Sequence, residues 1–375
     1  MRLVILGQSG RAAAHAAVRA GYQAVVADMF GDRDTLITAL DWRELHADEE
    51  GLPAAADALQ AVETLAMPED GLLLLSGFES RPSLIDALAA MAGHKGAHLV
   101  GNDSATVAAI KDPSVLFPAL AYLGIPHPPT RTEVPENSKG WLSKQVGGAG
   151  GTHLSSLCPF GPSEETGRRY WQQLSPGVPA SVQVLGNGGD AIVLGFCEQW
   201  VYPTPETPFR FGGIALCVER PQWADNAEKW ALAVVKHFKL RGLASVDFII
   251  GEDGAPVMIE VNPRPGQSLD VFAAHLPNVL VLHVEACAGN LPTDPLPQPT
   301  KSVASAIAYA DKAGKVAHNF HWPPGSADIP RPGRTVVPGQ PFVSSIAVEA
   351  TPTLAREAVQ ASINRALDAI VPTNP

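Results

Sequence analysis

The segment SVDFIIGEDGAPVMIEVNPRPGQS, residues 245–268, sets two apolar runs either side of Gly251-Glu252-Asp253-Gly254. A Gly/Asp tetrapeptide between apolar runs is a hairpin signal, so the runs read as paired strands. With Ile250 opposite Ala255, Asp247 pairs with Met258 and Glu260 is its diagonal neighbour on the same face, ~7–8 Å away. Asn262, two residues on, shares that face. Three oxygen donors therefore converge on otherwise greasy strands. Such strands do not accept Asp and Glu without a partner. The cheapest partner is a cation, and magnesium prefers hard oxygens, commonly one or two carboxylates plus substrate phosphates. The competing reading leaves Asp247 and Glu260 facing solvent on an edge strand. A one-residue slip in register would also part Asp247 from the other two.

Working outward, Trp141 to Val146 reads as a strand carrying Lys144, and Gly147, Gly148, Gly150 and Gly151 follow it, ahead of Thr152 and His153. Backbone N–H groups of such a loop can cradle phosphate oxygens, with the lysine as a point charge. It is not a Walker A loop, because the lysine precedes the glycines. Taken singly, a glycine run after a strand is more often just a loop. Lys111 stands just before Asp112-Pro113, an N-cap and first-turn pair that opens a helix ending at Gly124. Alone, Lys111 would be a surface lysine. Arg264 offers a planar fork suited to a carboxylate or an acyl phosphate.

The N-terminal region alternates strand and helix: Leu3–Leu6, Arg11–Ala20, Gln23–Ala27, Leu72–Leu75, Ser83–Ala92 and His98–Val100. That rhythm predicts a parallel sheet covered by helices. The turn Gly7-Gln8-Ser9-Gly10 falls short of the dinucleotide fingerprint, since Ser9 and Ala12 stand where glycines are needed. Asp28 either touches a ligand or caps a turn. Further on, 181–185 and 191–196 read as paired strands around Gly186–Gly189, and 222–239 as a helix. Four prolines between 290 and 300 mark a linker. A final helix near 354–371 buries Leu354, Ala358, Ile363, Leu367 and Ile370.

The 375 residues are 46% apolar and 17% charged, which excludes a disordered chain. A net charge of −11 lacks the broad basic footprint of a nucleic-acid binder. No run reaches the ~18 apolar residues of a membrane span, and MRLVILGQSGR lacks a signal-peptide pattern. Cys158, Cys197, Cys217 and Cys287 show no CxxC spacing and read as reduced core thiols, which suits the cytoplasm. No nucleic-acid or membrane partner is expected. A homodimer is compatible with the sequence.

Together, Lys111, Lys144 with its glycine loop, and Asp247…Glu260-x-Asn262 resemble the ATP-grasp superfamily over residues 104–292. The resemblance implies an α/β and α+β protein. A pre-ATP-grasp parallel α/β domain (1–103) precedes a first lobe (104–180) and a second lobe with the metal site (181–292), and a C-terminal extension (301–375) packs on the core. It implies ATP as the nucleotide with one or two Mg2+ ions, replaceable by Mn2+. Lys111 and Lys144 then contact the phosphates, the 147–151 loop covers them, and Asp247, Glu260 and Asn262 hold the metal. Gln172, Gln173, Leu174 and Ser175 fall at the adenine-contacting hinge before Gly177, and Arg264 steadies the acyl phosphate or the substrate carboxylate. The sequence departs from the family at Gln145, where proline is frequent, and at Pro179 or Ala180, where an acidic ribose contact is usual. The activity implied is a carboxylate–amine ligase working through an acyl phosphate. More loosely, the N-terminal string and the proline-rich tail look similar to the group containing tyramine–L-glutamate ligase of methanofuran-type cofactor synthesis. There Trp200, Tyr202, Phe209 and Phe211 would line an acceptor pocket, against the blander reading of core or lid packing. The alternatives are an ATP-dependent carboxylase of the carboxyaminoimidazole ribonucleotide synthase type and a non-catalytic nucleotide-binding protein.

Overall fold

The computed structural model describes residues 1–137, 139–148, 150–151, 154–155 and 168–372. The N-terminal apolar runs form β1 (Arg2–Leu6), β2 (Gln23–Asp28), β3 (Asp41–Glu44), β4 (Gly71–Leu74) and β5 (His98–Leu99). All pair in parallel, in the order β3-β2-β1-β4-β5. Helices α1 (Arg11–Arg19), α2 (Arg33–Thr38), α3 (Ala55–Leu65) and α4 (Pro82–His94) connect them. Leu3 to Leu6 are fully buried, as a central parallel strand covered on both faces requires. Strand order reverses between β1 and β4, and such a switch point opens a crevice at the strands' carboxyl ends. Asp28 settles as a turn cap: its carboxylate accepts from Gly10 N, Gly31 N and Trp42 Nε1, each at 2.9 Å.

Next come α5 (Ser104–Lys111) and α6 (Pro113–Tyr122), which share Asp112 as the C-cap of one and the N-cap of the other. Its side chain accepts from Ser114 N at 2.9 Å, as the Asp-Pro pair predicts. Lys111 is therefore the last residue of a helix rather than a loop residue. A small sheet follows, from β6 (Thr130–Arg131), β7 (Trp141–Gln145), β8 (Leu154–Ser155) and β9 (Arg169–Gln173), in the order β6-β9-β7-β8.

The central sheet starts with β10 (Val178–Asn187), β11 (Ala191–Val201), β12 (Phe211–Leu216), β13 (Arg241–Ile250) and β14 (Pro256–Asn262), with α7 (Ala224–His237) between β12 and β13. Its two faces differ. Val182, Val246, Phe248 and Met258 form an apolar core with α7 residues such as Ala231 and Val234. The opposite face carries the paired residues Ser181 and Asp247, and beside them Gln183 and Ser245. Helices α8 (Ser268–His275) and α9 (Val279–Cys287) follow β14. On α9, buried His283 accepts the Leu243 N–H at Nδ1 (2.9 Å), which leaves Nε2–H to donate to Val100 O (3.3 Å).

Residues 288–301 contain no helix or strand, in keeping with the proline-rich linker. Beyond it, β15 (Ser302–Tyr309), β16 (Gly314–Val316), β17 (Ser326–Ala327), β18 (Thr335–Val336), β19 (Pro341–Glu349), α10 (Pro352–Ala366) and β20 (Ile370–Val371) complete the chain. The extension does more than pack on the core. It completes the central sheet, whose order is β14-β13-β10-β11-β12-β15-β19-β17. The buried stripe of α10 is Ala355, Val359, Ser362, Ile363 and Ala366, whereas Leu354 is exposed. The expected stripe was one residue out of phase at its start, where Ala355 and Val359 face the core in place of Leu354 and Ala358. Leu367 and Ile370 lie beyond its end, in a short 3-10 turn and in β20. No single helix among the described residues is long and apolar enough to cross a membrane.

Burial pushes the His283 pKa down from 6.5 to about 4. A depressed folded-state pKa gives stability that is present above pH 6.5 and lost as pH falls toward 4, about 3 kcal/mol in full. Gln at this position can accept from Leu243 N and donate to Val100 O without titrating. Denaturation midpoints measured from pH 7 to 4 should therefore fall less steeply in His283→Gln than in the wild type.

Candidate active site

The hairpin places Asp247 directly opposite Glu260, and Ser245 opposite Asn262. This corrects the expected register, in which Asp247 met Met258. Phe248 pairs with Met258, and the ladder is irregular between Asp247 and Phe248, leaving Ile259 as an extra residue. The Met258 N–H bonds outside the sheet to Pro126 O at 2.9 Å, which accounts for the break. A bulge of this kind re-aims the residues after it. Here it brings Glu260 from the diagonal to the directly opposed position.

Two carboxylates opposed on one face repel each other. Lys111 supplies the countercharge: its buried Nζ donates to Glu260 Oε1 (2.6 Å) and Asn262 Oδ1 (2.8 Å). The other end of the Asn262 amide donates to Asp247 Oδ2 at 2.9 Å, and Gln199 Nε2 donates to Asp247 Oδ1 at 3.3 Å. Among the described residues Asp247 thus receives two neutral donors and no direct cation. Burial first, and Glu260 second, push its pKa up to about 7, against the opposing pull of Lys111, Gln199 and Arg264. The ammonium of Lys111 stands among oxygens of just the kind a hard divalent ion takes. These donors fit such an ion, with the lysine marking where positive charge is wanted. Among the described residues no group of three or more His, Cys, Asp or Glu side chains could hold a metal. A site here would rest on two carboxylates and one amide oxygen.

Lys144 is buried on β7; its Nζ donates to Gln172 Oε1 at 3.1 Å and lies 5.6 Å from the Tyr170 ring centroid. Burial lowers its pKa, opposed by the charges of Glu260 and Asp247. Gln172 is accordingly inside the site rather than in the segment after the sheet. Gln173 and Leu174 take backbone bonds to Pro129 O (2.9 Å) and Gly140 O (2.7 Å), and Ser175 follows in the coil leading to β10. Between α5, α6, β7 and the glycine loop lies a small pocket lined by Lys111, Phe117, Gly147, Gly148, Tyr170 and Glu260.

Gly147 has φ +76, and a Cβ there would come within 2.5 Å of Ser80 Cα. At Gly151, φ +75, a Cβ would fall 2.0 Å from Phe209 O. Gly150 O accepts from Phe211 N at 3.0 Å. The loop thus lies against the N-terminal domain on one side and the β11–β12 connection on the other. Ala149, Thr152 and His153 lie outside the described residues. Among the nearby aromatics, Tyr202 stacks on Tyr309 at 5.9 Å, Arg210 lies 3.8 Å over Tyr309, and Trp200 is buried 4.9 Å from Arg356.

Arg264 turns to the N-terminal domain, where its Nε donates to Glu79 Oε1 at 2.5 Å. The second Glu79 oxygen accepts from Gly77 N (2.8 Å) and Phe78 N (3.0 Å). Burial alone would raise the Glu79 pKa; Arg264, Lys111 and the backbone amides outweigh it, and the net shift is downward. Sequence reading missed Glu79. The available signal was an acidic residue just past a parallel strand next to the order reversal. It also missed Arg11, whose buried guanidinium bonds to Asp270 on α8 and to Asp328 in the C-terminal extension (2.9 Å), tying three segments together.

Residues 100–268 match the family model described as ATP-grasp domain. This chain carries an ATP-grasp domain. No curated protein matches the sequence. Solved structures place the whole fold beside biotin carboxylases. The Rhizobium etli pyruvate carboxylase T882A with acetyl coenzyme-A aligns at TM-score 0.74 and 13% identity over 96% of this chain, which spans only 37% of that protein's length. The biotin carboxylase domain of Hydrogenobacter thermophilus 2-oxoglutarate carboxylase, solved with MgADP and bicarbonate, aligns at 0.72 and 14% over 96% of this chain and 89% of that one. Campylobacter jejuni biotin carboxylase gives 0.72 and 12% over 99% and 91%. The matched residues follow the N-terminal parallel sheet, and the strands beyond them, β15, β19 and β17, extend the same central sheet.

Removing Lys111 takes away the buried ammonium that donates to Glu260 and Asn262. Lys111→Met should cost about 3–5 kcal/mol in chemical denaturation at pH 7. Lys111→Met combined with Glu260→Gln should cost less than the sum of the two single changes, since the two side chains are in direct contact.

Proposed function

We propose that this protein is an ATP-dependent ligase that activates a carboxylate as an acyl phosphate and passes it to an amine. The observation that carries the reading is the convergence of Lys111, Lys144, Asp247, Glu260 and Asn262 beside the pocket under the glycine loop, with Arg264 just past the end of the strand that carries Glu260 and Asn262. In this reading Lys111 and Lys144 face the ATP phosphates, the amides of Gly147, Gly148, Gly150 and Gly151 cover them, and Gln172 orients Lys144. The segment Gln173–Ser175 borders the base. Asp247, Glu260 and Asn262 would hold magnesium, which when bound neutralises phosphate charge.

A carboxylate oxygen attacks the γ-phosphorus, the bond to the β-phosphate oxygen breaks, and ADP leaves. The amine nitrogen then attacks the acyl carbon, inorganic phosphate departs and the nitrogen loses a proton. Arg264 holds the carboxylate and then the acyl phosphate with its planar fork. Lys111 and Lys144 offset the charge on the transferring group, and the glycine loop keeps water from the acyl phosphate. The protein's task is chiefly positioning and electrostatics.

For substrates we propose L-glutamate and tyramine or a related aromatic amine, on the similarity of the N-terminal string and the tail to that ligase group. A second reading, ATP-dependent carboxylation, draws on the bicarbonate described with the H. thermophilus neighbour. A homodimer belongs to the proposal because that neighbour is described as a dimer.

ADP release with Mg-ATP, L-glutamate and a panel of amines, with products weighed by mass spectrometry, separates these readings. A dehydrated glutamate–amine adduct is expected. ADP release only with bicarbonate and aminoimidazole ribotide would replace the ligase by the carboxylase, and Mg-ATP binding without ADP release would favour a non-catalytic protein. Glu260→Gln should lower turnover at least 100-fold with the fold intact, and Lys144→Met should weaken ATP binding more than amine binding, by calorimetry.

A further inference from the structure

Arg264 sits at the end of β14, where the chain passes through Pro265 and Gly266 into α8. A guanidinium presents two hydrogen-bonding edges, one through Nε and one through its terminal nitrogens. The Nε edge is taken by Glu79, whose carboxylate is itself buried and fixed by the Gly77 and Phe78 amides. Among the described residues the only other bond of this guanidinium is a 3.5 Å contact from Nη1 to Pro265 O. Gly266 keeps the space beside the terminal nitrogens open: a Cβ there would fall 2.6 Å from Arg264 Nη1. The terminal edge is thus presented and the Nε edge is anchored.

We propose that Glu79, from the N-terminal domain, is a positioning residue that fixes Arg264 so that its terminal nitrogens meet the anion undergoing activation. This rests on the ligase reading and adds to it a residue outside the ATP-grasp domain. An anchored guanidinium loses less freedom when it binds a planar or tetrahedral oxyanion, so affinity depends on the anchor. The same Glu79–Ser80 turn lies against Gly147 of the glycine loop. One turn of the N-terminal domain therefore touches both the anion-facing arginine and the phosphate-covering loop.

Glu79→Gln separates anchoring from folding. The glutamine carbonyl can still accept from Gly77 and Phe78, while its NH2 faces another donor, Arg264 Nε, and the anchor is lost. The probe is inorganic phosphate, titrated in the presence of Mg-ADP into protein labelled with 15N-arginine, and followed at the Arg264 Nε–H resonance assigned by its loss in Arg264→Lys. In the wild type this resonance should move and saturate. In Glu79→Gln it should shift at the start, and phosphate should bind at least tenfold more weakly, with Mg-ADP affinity within twofold of wild type. Should Glu79→Gln melt early, Glu79→Asp carries the test, because retracting the carboxylate by ~1.5 Å pulls the guanidinium from its place and predicts the same loss.

Equal phosphate affinity in wild type and variant would overturn the proposal, as would a wild-type Arg264 signal that ignores phosphate. Neither readout needs turnover. If no carboxylate supports ADP release but phosphate binding falls as expected, the ligase reading fails and the positioning role stands. Where a carboxylate does turn over, its KM should rise tenfold in Glu79→Gln and the KM for Mg-ATP should not change.

Discussion

Two carboxylates on directly opposed strand positions cannot both be charged in a buried setting without positive charge between them. Asp247 and Glu260 are in that position, and the site is arranged around the constraint. Lys111 comes from the last turn of a helix preceding the first ATP-grasp sheet, and it reaches across to the far end of the central sheet. Asn262 passes the effect on, with its oxygen toward the lysine and its nitrogen toward Asp247. Lys144, on the opposite wall, is buried in the field of the same two carboxylates. The space between these walls therefore carries both signs of charge, two ammonium groups facing two carboxylates.

Segments far apart in sequence close around this centre by polar contacts rather than by a shared greasy core alone. Glu79 holds Arg264 from the N-terminal domain. Gly147 admits Ser80 at a distance no side chain would allow. Arg11 gathers Asp270 from α8 and Asp328 from the C-terminal extension. A buried arginine with two carboxylates contributes little net stability against an apolar alternative, but breaking it leaves charge stranded. Its directional bonds fix the relative placement of three segments that touch the crevice at the ends of β1 and β4.

Much of this was legible in the sequence because local chemistry sets it. The hairpin at 251–254, the Asp112-Pro113 helix start and the strand carrying Lys144 follow from turn and capping preferences. The oxygen donors Asp247, Glu260 and Asn262 share a face as their spacing implies. Their register did not follow, because a bulge at Ile259 depends on Pro126, more than a hundred residues upstream. Taken alone, Lys111 read as a surface lysine, since nothing near it in sequence shows that the helix end is covered. The pairings of Glu79 and Arg11 were missed for the same reason: their partners lie 185 and 259 residues away. Local patterns fix elements, while inter-domain ion pairs are properties of the assembled fold.

The central sheet has a consequence for dissecting the chain. The proline-rich stretch at 290–300 looks like a place to cut, yet the strands beyond it are hydrogen-bonded to β12. Severing the chain there would leave β12 as an open edge, with Trp200 and Ala215 no longer covered. Unprotected apolar edges recruit other chains. The C-terminal extension therefore acts as a guard against self-association as well as a part of the architecture, and the linker is a bend within one folding unit.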